Sequence, residues 1–192
     1  MCIRDRLVGL GNCFSGLIQG IEYYKKNPSQ QVIGIIHEKL RDYSIHDIDF
    51  VAGFDVGENK IGKSVNEAIY ELPNMVNWIP KDEMPKTNGK VHESPALDGV
   101  GIWVENKVKP IQSGKSQSDL EDEIKKVLKD TGVEIIVSYL PVGSEKATQF
   151  WANICLDTNI AFVNCMPAFI ASDKDWAQKF KEKNIPIIGD DI

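Results

Sequence analysis

Long hydrophobic runs, paired cysteines and an excess of basic charge are all missing from this chain of 192 residues. No run approaches the roughly 18 apolar residues that cross a bilayer, so a membrane partner is not expected. The formal net charge of −6 and the pI near 5.1 argue against a general surface for nucleic acid or anionic membrane. Any phosphate binding must therefore be local.

The four cysteines include no C-x-x-C pair, and no histidine pattern lies near them. We therefore expect reduced thiols in a cytoplasmic protein, with neither a zinc site nor disulfides. His37 and His46 have no partner at metal-ligand spacing, so each is interpreted as a surface or packing residue. No metal is predicted.

The chain contains 42% hydrophobic and 26% charged residues, which is ordinary for one globular domain. Short apolar strands are predicted at 48–54, 133–139, 160–164 and 185–188, and helices at 12–26, 61–72, 119–130, 146–157 and 174–183. The stretch 74–110 is expected to be irregular with a short helix after Gly99, and 107–117 a mobile loop. The alternation predicts a Rossmann-like, doubly wound α/β fold, with a mostly parallel sheet and helices on both faces.

One glycine-containing stretch, LVGLGNCFSGLIQG, is predicted to be the end of a buried strand, a tight turn and the start of a helix. Gly9 and Gly11 would let the backbone bend sharply and let an anion approach the N–H groups of Asn12 and Cys13. Such groups at a helix N-terminus favour negative charge, as on a dinucleotide pyrophosphate. The third glycine of the G-x-G-x-x-G fingerprint is replaced by phenylalanine, so a turn without a ligand stays open as the alternative.

The preceding hexapeptide, MCIRDR, does not fit a first Rossmann strand. Such a strand should carry about five apolar residues, yet only Leu7 and Val8 precede Gly9. Residues 1–6 are therefore predicted to be a non-native start, with the strand damaged or missing. Residues 7–192 are predicted to form the nucleotide-binding domain.

Asp55 ends the second predicted strand, where a Rossmann domain places the acid that accepts the ribose hydroxyls of adenosine. Its carboxylate would repel a 2′-phosphate and favour NAD over NADP. The interval from Gly9 is more than twice the usual length of about 20 residues, which predicts an insertion at 29–47. An acid in this position can equally cap a helix or a turn. The loops at 9–13, 138–144, 164–166 and 189–191 should meet Asp55 at one crevice.

Seven strings occur in the chain in a fixed order. They are GLGNC (9–13), IEYY (21–24), FDV (54–56), LDGVG (97–101), SYLPVGSE (138–145), AFVNCMPAFIAS (161–172) and PIIGDDI (186–192). Together they closely resemble inositol-3-phosphate synthase, also called myo-inositol-1-phosphate synthase, in the shorter form found in archaea and actinobacteria. The resemblance runs from about residue 7 to residue 192.

The resemblance implies an enzyme of inositol and phospholipid biosynthesis that cyclises D-glucose 6-phosphate to 1D-myo-inositol 3-phosphate. In that family the sugar is oxidised at C5 by bound NAD⁺, enolised at C6, closed by aldol attack of C6 on C1, and reduced by the NADH just formed. Such chemistry needs a dry pocket that keeps cofactor and intermediates together. The full-length family member is expected to be a homotetramer.

The resemblance also assigns individual residues. The cofactor-binding set is Gly9, Gly11, Asn12, Cys13, Asp55, Ser138, Tyr139, Leu140, Pro141, Asn164, Met166 and Asp190. Asp190 or Asp191 would support catalysis by orienting the nicotinamide carboxamide or the substrate. Two positions depart from the family, because Ser64 stands where relatives carry an acid and Cys165 where an alanine is usual.

In the family, a catalytic lysine followed by serine comes directly after the stretch that matches 189–192, and a catalytic and oligomerisation domain follows. The resemblance therefore implies an N-terminal portion that binds NAD weakly at best and does not turn over. Inositol phosphate production from glucose 6-phosphate by this polypeptide would contradict that hypothesis. A missing partner domain should also leave apolar area exposed and lower solubility.

Two other classes stay open. A different NAD-linked sugar or amino-acid dehydrogenase would accumulate NADH with its substrate, whereas the isomerase would not. A non-catalytic dinucleotide-binding module would bind NAD without a partner domain, and a native stop codon after Ile192 would favour it.

Overall fold

The computed structural model describes residues 3–28, 34–100 and 105–190. The strands are β1 (Ile3–Val8), β2 (Lys39–Leu40), β3 (Tyr43–Ser44), β4 (Ile48–Asp55), β5 (Lys90–Glu93), β6 (Ile135–Ser138), β7 (Ala161–Asn164) and β8 (Ile187–Ile188). The helices are α1 (Asn12–Lys26), α2 (Val65–Ala68), α3 (Gln117–Thr131), α4 (Glu145–Thr158) and α5 (Lys174–Glu182). Within the predicted insertion, β2 and β3 form a small antiparallel hairpin, and a single 3₁₀ turn (Ile45–Asp47) leads into β4.

Six strands form one sheet in the order β5-β4-β1-β6-β7-β8, and the neighbouring strands run parallel. In order of appearance along the chain this is 3-2-1-4-5-6, the strand order of doubly wound dinucleotide-binding folds. The order reverses between β1 and β6, and ligands of such sheets bind in the crevice at this switch point. The predicted fold class is confirmed.

The sheet lies between two apolar layers. The layer beneath α1 and α2 includes Leu7, Phe14, Ile18, Val65 and Ile69. The layer beneath α3, α4 and α5 includes Phe54, Ile124, Trp151, Phe162 and Phe180. Successive side chains of a strand point to opposite faces, so Leu7 and Val8 of the central strand belong to different layers and both are fully buried.

Strand β1 is longer than its apolar residues alone predict. It starts at Ile3 and pairs with both β4 and β6, contrary to the expectation that the strand is damaged or missing. Arg6 is fully buried, and its Nη2 donates to the Val127 carbonyl at 2.7 Å. Nε and Nη1 of Arg6 and Oδ1 of Asp5 have no hydrogen-bond partner among the described residues, which costs stability. The non-native origin of residues 1–6 stays a prediction.

Asp5 predicts an unusual pH dependence of stability. Burial, reinforced by the Glu134 carboxylate, raises the pKa of Asp5 from its ordinary value of 3.8 to about 7. The folded protein then holds this proton more tightly than the unfolded chain, so the contribution of Asp5 to the free energy of unfolding is full below its ordinary pKa of 3.8 and is lost as the pH rises toward 7. It should fall by about 2 kcal/mol between pH 5 and pH 7.

Urea denaturation of the unsubstituted chain and of Asp5→Asn across this pH range measures the effect. The asparagine cannot ionise, so the free energy of unfolding of the unsubstituted chain should fall relative to that of Asp5→Asn as the pH rises. Curves that stay parallel from pH 5 to pH 7 would contradict the assignment of this dependence to Asp5.

The helix predicted at 61–72 is wrong in extent, since only α2 forms there. Backbone bonds join this stretch to β5, including Gly62 N–H to the Val91 carbonyl and Val91 N–H to the Lys63 carbonyl, both within 3 Å. These groups are therefore not available for helical bonds. Strand β5 was not predicted, and the helix predicted after Gly99 lies partly outside the described residues.

None of the described helices combines the length and the apolarity needed to cross a membrane.

Candidate functional site

The glycine turn joins β1 to α1 at the switch point of the sheet. Gly9 has a φ of +80°, and a Cβ built on it would lie 2.7 Å from the Tyr139 carbonyl oxygen, so the turn and the segment after β6 approach as closely as glycine allows. Gly11 differs, because a Cβ there would meet no protein atom within 4 Å. The backbone of the turn is therefore packed against the segment after β6 at Gly9, and at Gly11 it is accessible to a ligand.

Helix α1 starts immediately after this turn. Gly11 is its N-cap, and the first helical bond runs from Ser15 N–H to the Gly11 carbonyl at 3.0 Å. The N–H groups of Asn12 and Cys13 precede that bond, which leaves them without an acceptor inside the helix. Both residues are exposed, and the Asn12 side chain accepts a hydrogen bond from Met75 N–H at 2.7 Å. The turn thus presents N–H donors at the positive end of the helix dipole.

Asp55 ends β4 beside the turn, as predicted, but both of its carboxylate oxygens have partners in the protein. Oδ2 accepts from Leu10 N–H at 2.9 Å and lies 3.4 Å from Nζ of Lys60, and Oδ1 accepts from Gly57 N–H at 2.8 Å. Only 8% of the residue is exposed. Asp55 therefore braces the glycine turn, and its predicted contact with a ribose stays a prediction.

Sequence reasoning missed two further polar residues at the turn. The Leu10 carbonyl accepts from Lys60 Nζ at 2.7 Å and from Asn74 Nδ2 at 2.8 Å. Asn74 also donates to the Ile69 carbonyl at 2.9 Å. Both side chains come from irregular segments with no periodicity. The only sequence signal was a lysine five residues after the strand-ending acid.

A cavity of about 180 Å³ lies at the carboxyl ends of β1, β4 and β6. Its lining includes seven of the predicted cofactor residues, namely Gly9, Gly11, Asn12, Asp55, Tyr139, Leu140 and Pro141. The wall also includes Lys60, Asn74 and residues 94–96 and 99–100. Small-molecule pockets usually measure about 300–1,000 Å³, so this cavity fits part of a dinucleotide rather than the whole.

Tyr139 and Ser138 lie where β6 ends next to β1. The Tyr139 ring packs edge-on against Phe14 with centroids 4.8 Å apart. Burial, together with a hydrogen bond to Cys165, raises the pKa of Tyr139 to about 12, so its phenol keeps its proton at neutral pH. Ser138 is fully buried, and its Oγ has no hydrogen-bond partner in the described parts of the chain. Ser138 does not line the cavity.

The remaining predicted residues form a separate cluster after β7. Asn164 Nδ2 donates to Asp190 Oδ1 at 2.9 Å, and its Oδ1 accepts from Met166 N–H at 3.2 Å. Asp190 also accepts from Ile170, Ala171 and Ser172 N–H and from Ser172 Oγ, at 2.7–3.1 Å. Asp190 therefore holds the loop at 170–172 in place, and its predicted catalytic role stays untested. Asp191 lies outside the described residues.

The cysteines support no metal site in the described structure. Cys13 is exposed, whereas Cys155 and Cys165 are buried, and all three are free. Burial raises the pKa of the Cys165 thiol above its ordinary value. The described ranges contain no group of three or more histidine, cysteine or carboxylate side chains that could hold a metal ion.

The strand order, the glycine turn and the cavity at the switch point define a Rossmann-like, doubly wound α/β domain. No protein-family profile matches the chain. The inositol-3-phosphate synthase of Mycolicibacterium smegmatis is 43% identical over 192 residues, which is 99% of this chain and 50% of that protein. The synthase of Corynebacterium glutamicum is 41% identical over 191 residues with the same coverage. By sequence, the chain is homologous over 99% of its length to proteins named inositol-3-phosphate synthase, which confirms the resemblance. It spans about half the length of these relatives.

Two solved structures share the fold. The crystal structure of Ari2 superposes with a TM-score of 0.83 at 27% identity, covering 100% of this chain and 55% of that one. A myo-inositol-1-phosphate synthase-related protein from Thermotoga maritima gives a TM-score of 0.74 at 21% identity with the same coverage. At that identity the second likeness supports the fold alone.

Proposed function

We propose that this chain is the NAD-binding portion of an inositol-3-phosphate synthase, which cyclises D-glucose 6-phosphate to 1D-myo-inositol 3-phosphate. The observation that carries the proposal is the glycine turn at the switch point. Its Gly11 side is open, it lines the cavity, and it stands at the start of a 15-residue helix. Homology to synthases over 99% of the chain points to the same function.

The residues at the turn fit a dinucleotide. The N–H groups of Asn12 and Cys13 suit the pyrophosphate, because unpaired amides at a helix N-terminus bind anions. The apolar wall of Val8, Leu140 and Pro141 suits an adenosine or the sugar next to it. When bound, NAD would accept a hydride from the sugar and return it. This chain would bind the cofactor, and we assign the binding of its pyrophosphate to the glycine turn.

Gly11→Ala tests the proposal directly. The N-cap φ of −83° is open to alanine and the added methyl group meets no protein atom, so the cost should be only that of a poorer N-cap residue, about 0.5–1 kcal/mol. The methyl group would occupy space that a pyrophosphate needs to reach the amides. We expect calorimetric titration to show NAD affinity reduced about tenfold or more.

Gly20→Ala is the matched control. Gly20 lies in the same helix, its Cβ would also meet no protein atom within 4 Å, and it does not line the cavity. Its NAD affinity should equal that of the unsubstituted chain. Failure of the unsubstituted chain to bind NAD, or equal affinity in the Gly11 and Gly20 variants, would contradict the proposed seat.

The same proposal includes three further properties of the full-length enzyme. They are a cytoplasmic location, a homotetrameric assembly and a preference for NAD over NADP. The preference was predicted from the charge of Asp55. Because Lys60 Nζ lies 3.4 Å from that carboxylate, its repulsion of a 2′-phosphate would be partly offset. A modest rather than absolute preference is therefore expected, and titration with NAD and NADP measures it.

A further inference from the structure

A network of three side chains encloses Leu10, the central residue of the glycine turn. Asp55 accepts from the Leu10 N–H, and Lys60 and Asn74 donate to the Leu10 carbonyl. All three side chains line the cavity, and Asp55, Lys60 and Asn74 are 8%, 3% and 8% exposed. Both polar groups of the Leu10 backbone are thus fixed by side chains at the cavity wall.

The Leu10 carbonyl does not need a cation to be satisfied. Asn74 donates to it at 2.8 Å, and an amide is sufficient for a buried carbonyl. A buried ammonium costs free energy through desolvation unless a partner compensates it. Here the one carboxylate partner, Asp55, lies at a long 3.4 Å and is shared with two backbone N–H groups. A purely structural role therefore explains the position of Lys60 poorly.

Lys60 also carries the positive charge of the cavity. Among the described lining residues it is the only lysine or arginine, and Asp55 is the only acid. A lysine ammonium has three N–H donors, and two of them are directed at Leu10 and Asp55. The chain as a whole has a net charge of −6, so a local cation matters for holding an anion.

We propose that Lys60 is a ligand-binding residue, which gives its third N–H to the phosphate of the nucleotide in the glycine turn. Its Nζ lies 2.7 Å from the Leu10 carbonyl, which places the charge beside the turn where the anion would sit. The inference rests on the proposed function and deepens it. Charge-assisted bonds to phosphate are among the strong hydrogen bonds of proteins.

The experiment compares ADP with adenosine, because only ADP carries phosphate. Calorimetric titrations would use the unsubstituted chain, Lys60→Met and Asn74→Ala, at low and high sodium chloride. For Lys60→Met we expect ADP affinity about ten- to a hundredfold lower at low salt, with adenosine affinity within about threefold. In the unsubstituted chain, ADP affinity should fall with salt while adenosine affinity should not.

Asn74→Ala is the control for a purely structural role, since it removes the other donor to the same carbonyl without changing charge. It should weaken ADP and adenosine by similar factors. If Lys60→Met also weakens both equally, or weakens neither, the phosphate role of Lys60 is overturned. If the unsubstituted chain binds neither ligand, the proposed function itself fails, which is a different result.

Lys60→Met leaves Asp55 without its cation, so circular dichroism must first show that the variant folds. Where it does not fold, Lys60→Gln keeps an amide donor for Leu10 and removes the charge, with the same expected loss for ADP. The salt dependence of the unsubstituted chain needs no variant. ADP affinity that is insensitive to salt would overturn the proposal on its own.

Discussion

Gly9→Ala is expected to lower the free energy of unfolding by about 2 to 5 kcal/mol and to abolish nucleotide binding. Part of the loss is backbone strain, because a φ of +80° costs an alanine about 1–2 kcal/mol. The rest is a clash, since the new Cβ would lie 2.7 Å from the Tyr139 carbonyl oxygen and neither group is a flexible side chain. Moving the backbone to relieve such overlap costs about 1–3 kcal/mol. Against a typical total of about 5–15 kcal/mol, this is a large fraction.

Urea denaturation followed by circular dichroism measures this effect, with Gly11→Ala and Gly20→Ala as controls. All three variants make the same chemical change, but only the methyl group at Gly9 meets protein atoms. Alanine at the interior helical position 20 should raise the midpoint slightly. Gly9→Ala should have by far the lowest midpoint, because alanine at the N-cap position 11 costs only about 0.5–1 kcal/mol. A midpoint equal to that of Gly11→Ala would mean that the turn and the segment after β6 are not in contact as described.

Asp190→Ala should be the second severe substitution, at a cost on the order of 3 kcal/mol. Its carboxylate accepts from three backbone N–H groups, the Ser172 hydroxyl and the Asn164 amide, and alanine would leave these donors without an acceptor. Burial opposes ionisation of Asp190, but the hydrogen bonds from Ala171, Ser172 and Asn164 outweigh it and hold the pKa below its usual value. The contribution is therefore present at neutral pH and is lost only in strong acid.

Asp173→Ala is the matched control for this substitution. Asp173 is the N-cap of α5 and accepts from Asp175 and Trp176 N–H, both at 3.0 Å, so its loss should cost about 1 kcal/mol. Thermal or urea unfolding of both variants gives the comparison. Equal costs would contradict the bracing role of Asp190. A stable Asp190→Ala variant with altered NAD affinity would instead favour its predicted place near the nicotinamide.

The parallel sheet and the longer helices could be predicted because their signals are local. Helix α3 carries Leu120, Ile124 and Leu128 on one buried side, so its position follows from the sequence. The prediction of 119–130 started two residues late because it did not use the Ser116–Asp119 capping box. Strand β5 has only four residues and lies among prolines and glycines. It is defined by pairing with β4, which no local pattern contains.

The site was only half predictable for a related reason. The glycines and the strand-ending Asp55 occupy positions that the fold itself specifies, so spacing finds them. Lys60 and Asn74 reach Leu10 from 50 and 64 residues away along the chain, and no periodicity connects them to it. The charges of Arg6 and Asp5 led to the wrong prediction that the first strand is damaged or missing. Hydrophobicity alone does not indicate that a central strand can bury two charged side chains.

The hydrogen bonds of Gln19 place an exposed tryptophan next to helix α1, where its fluorescence can be measured. The buried amide of Gln19 accepts from Trp78 N–H at 2.7 Å and Ile79 N–H at 3.0 Å, and donates to the Val76 carbonyl at 3.0 Å. The backbone of Trp78 is thereby fastened to α1, while 73% of the residue remains exposed. Its indole is an intrinsic fluorophore attached to the helix that begins at the glycine turn. Because the chain has four tryptophans, the difference in emission and iodide quenching between the unsubstituted chain and Trp78→Phe would test whether nucleotide binding at the turn changes the surroundings of this indole.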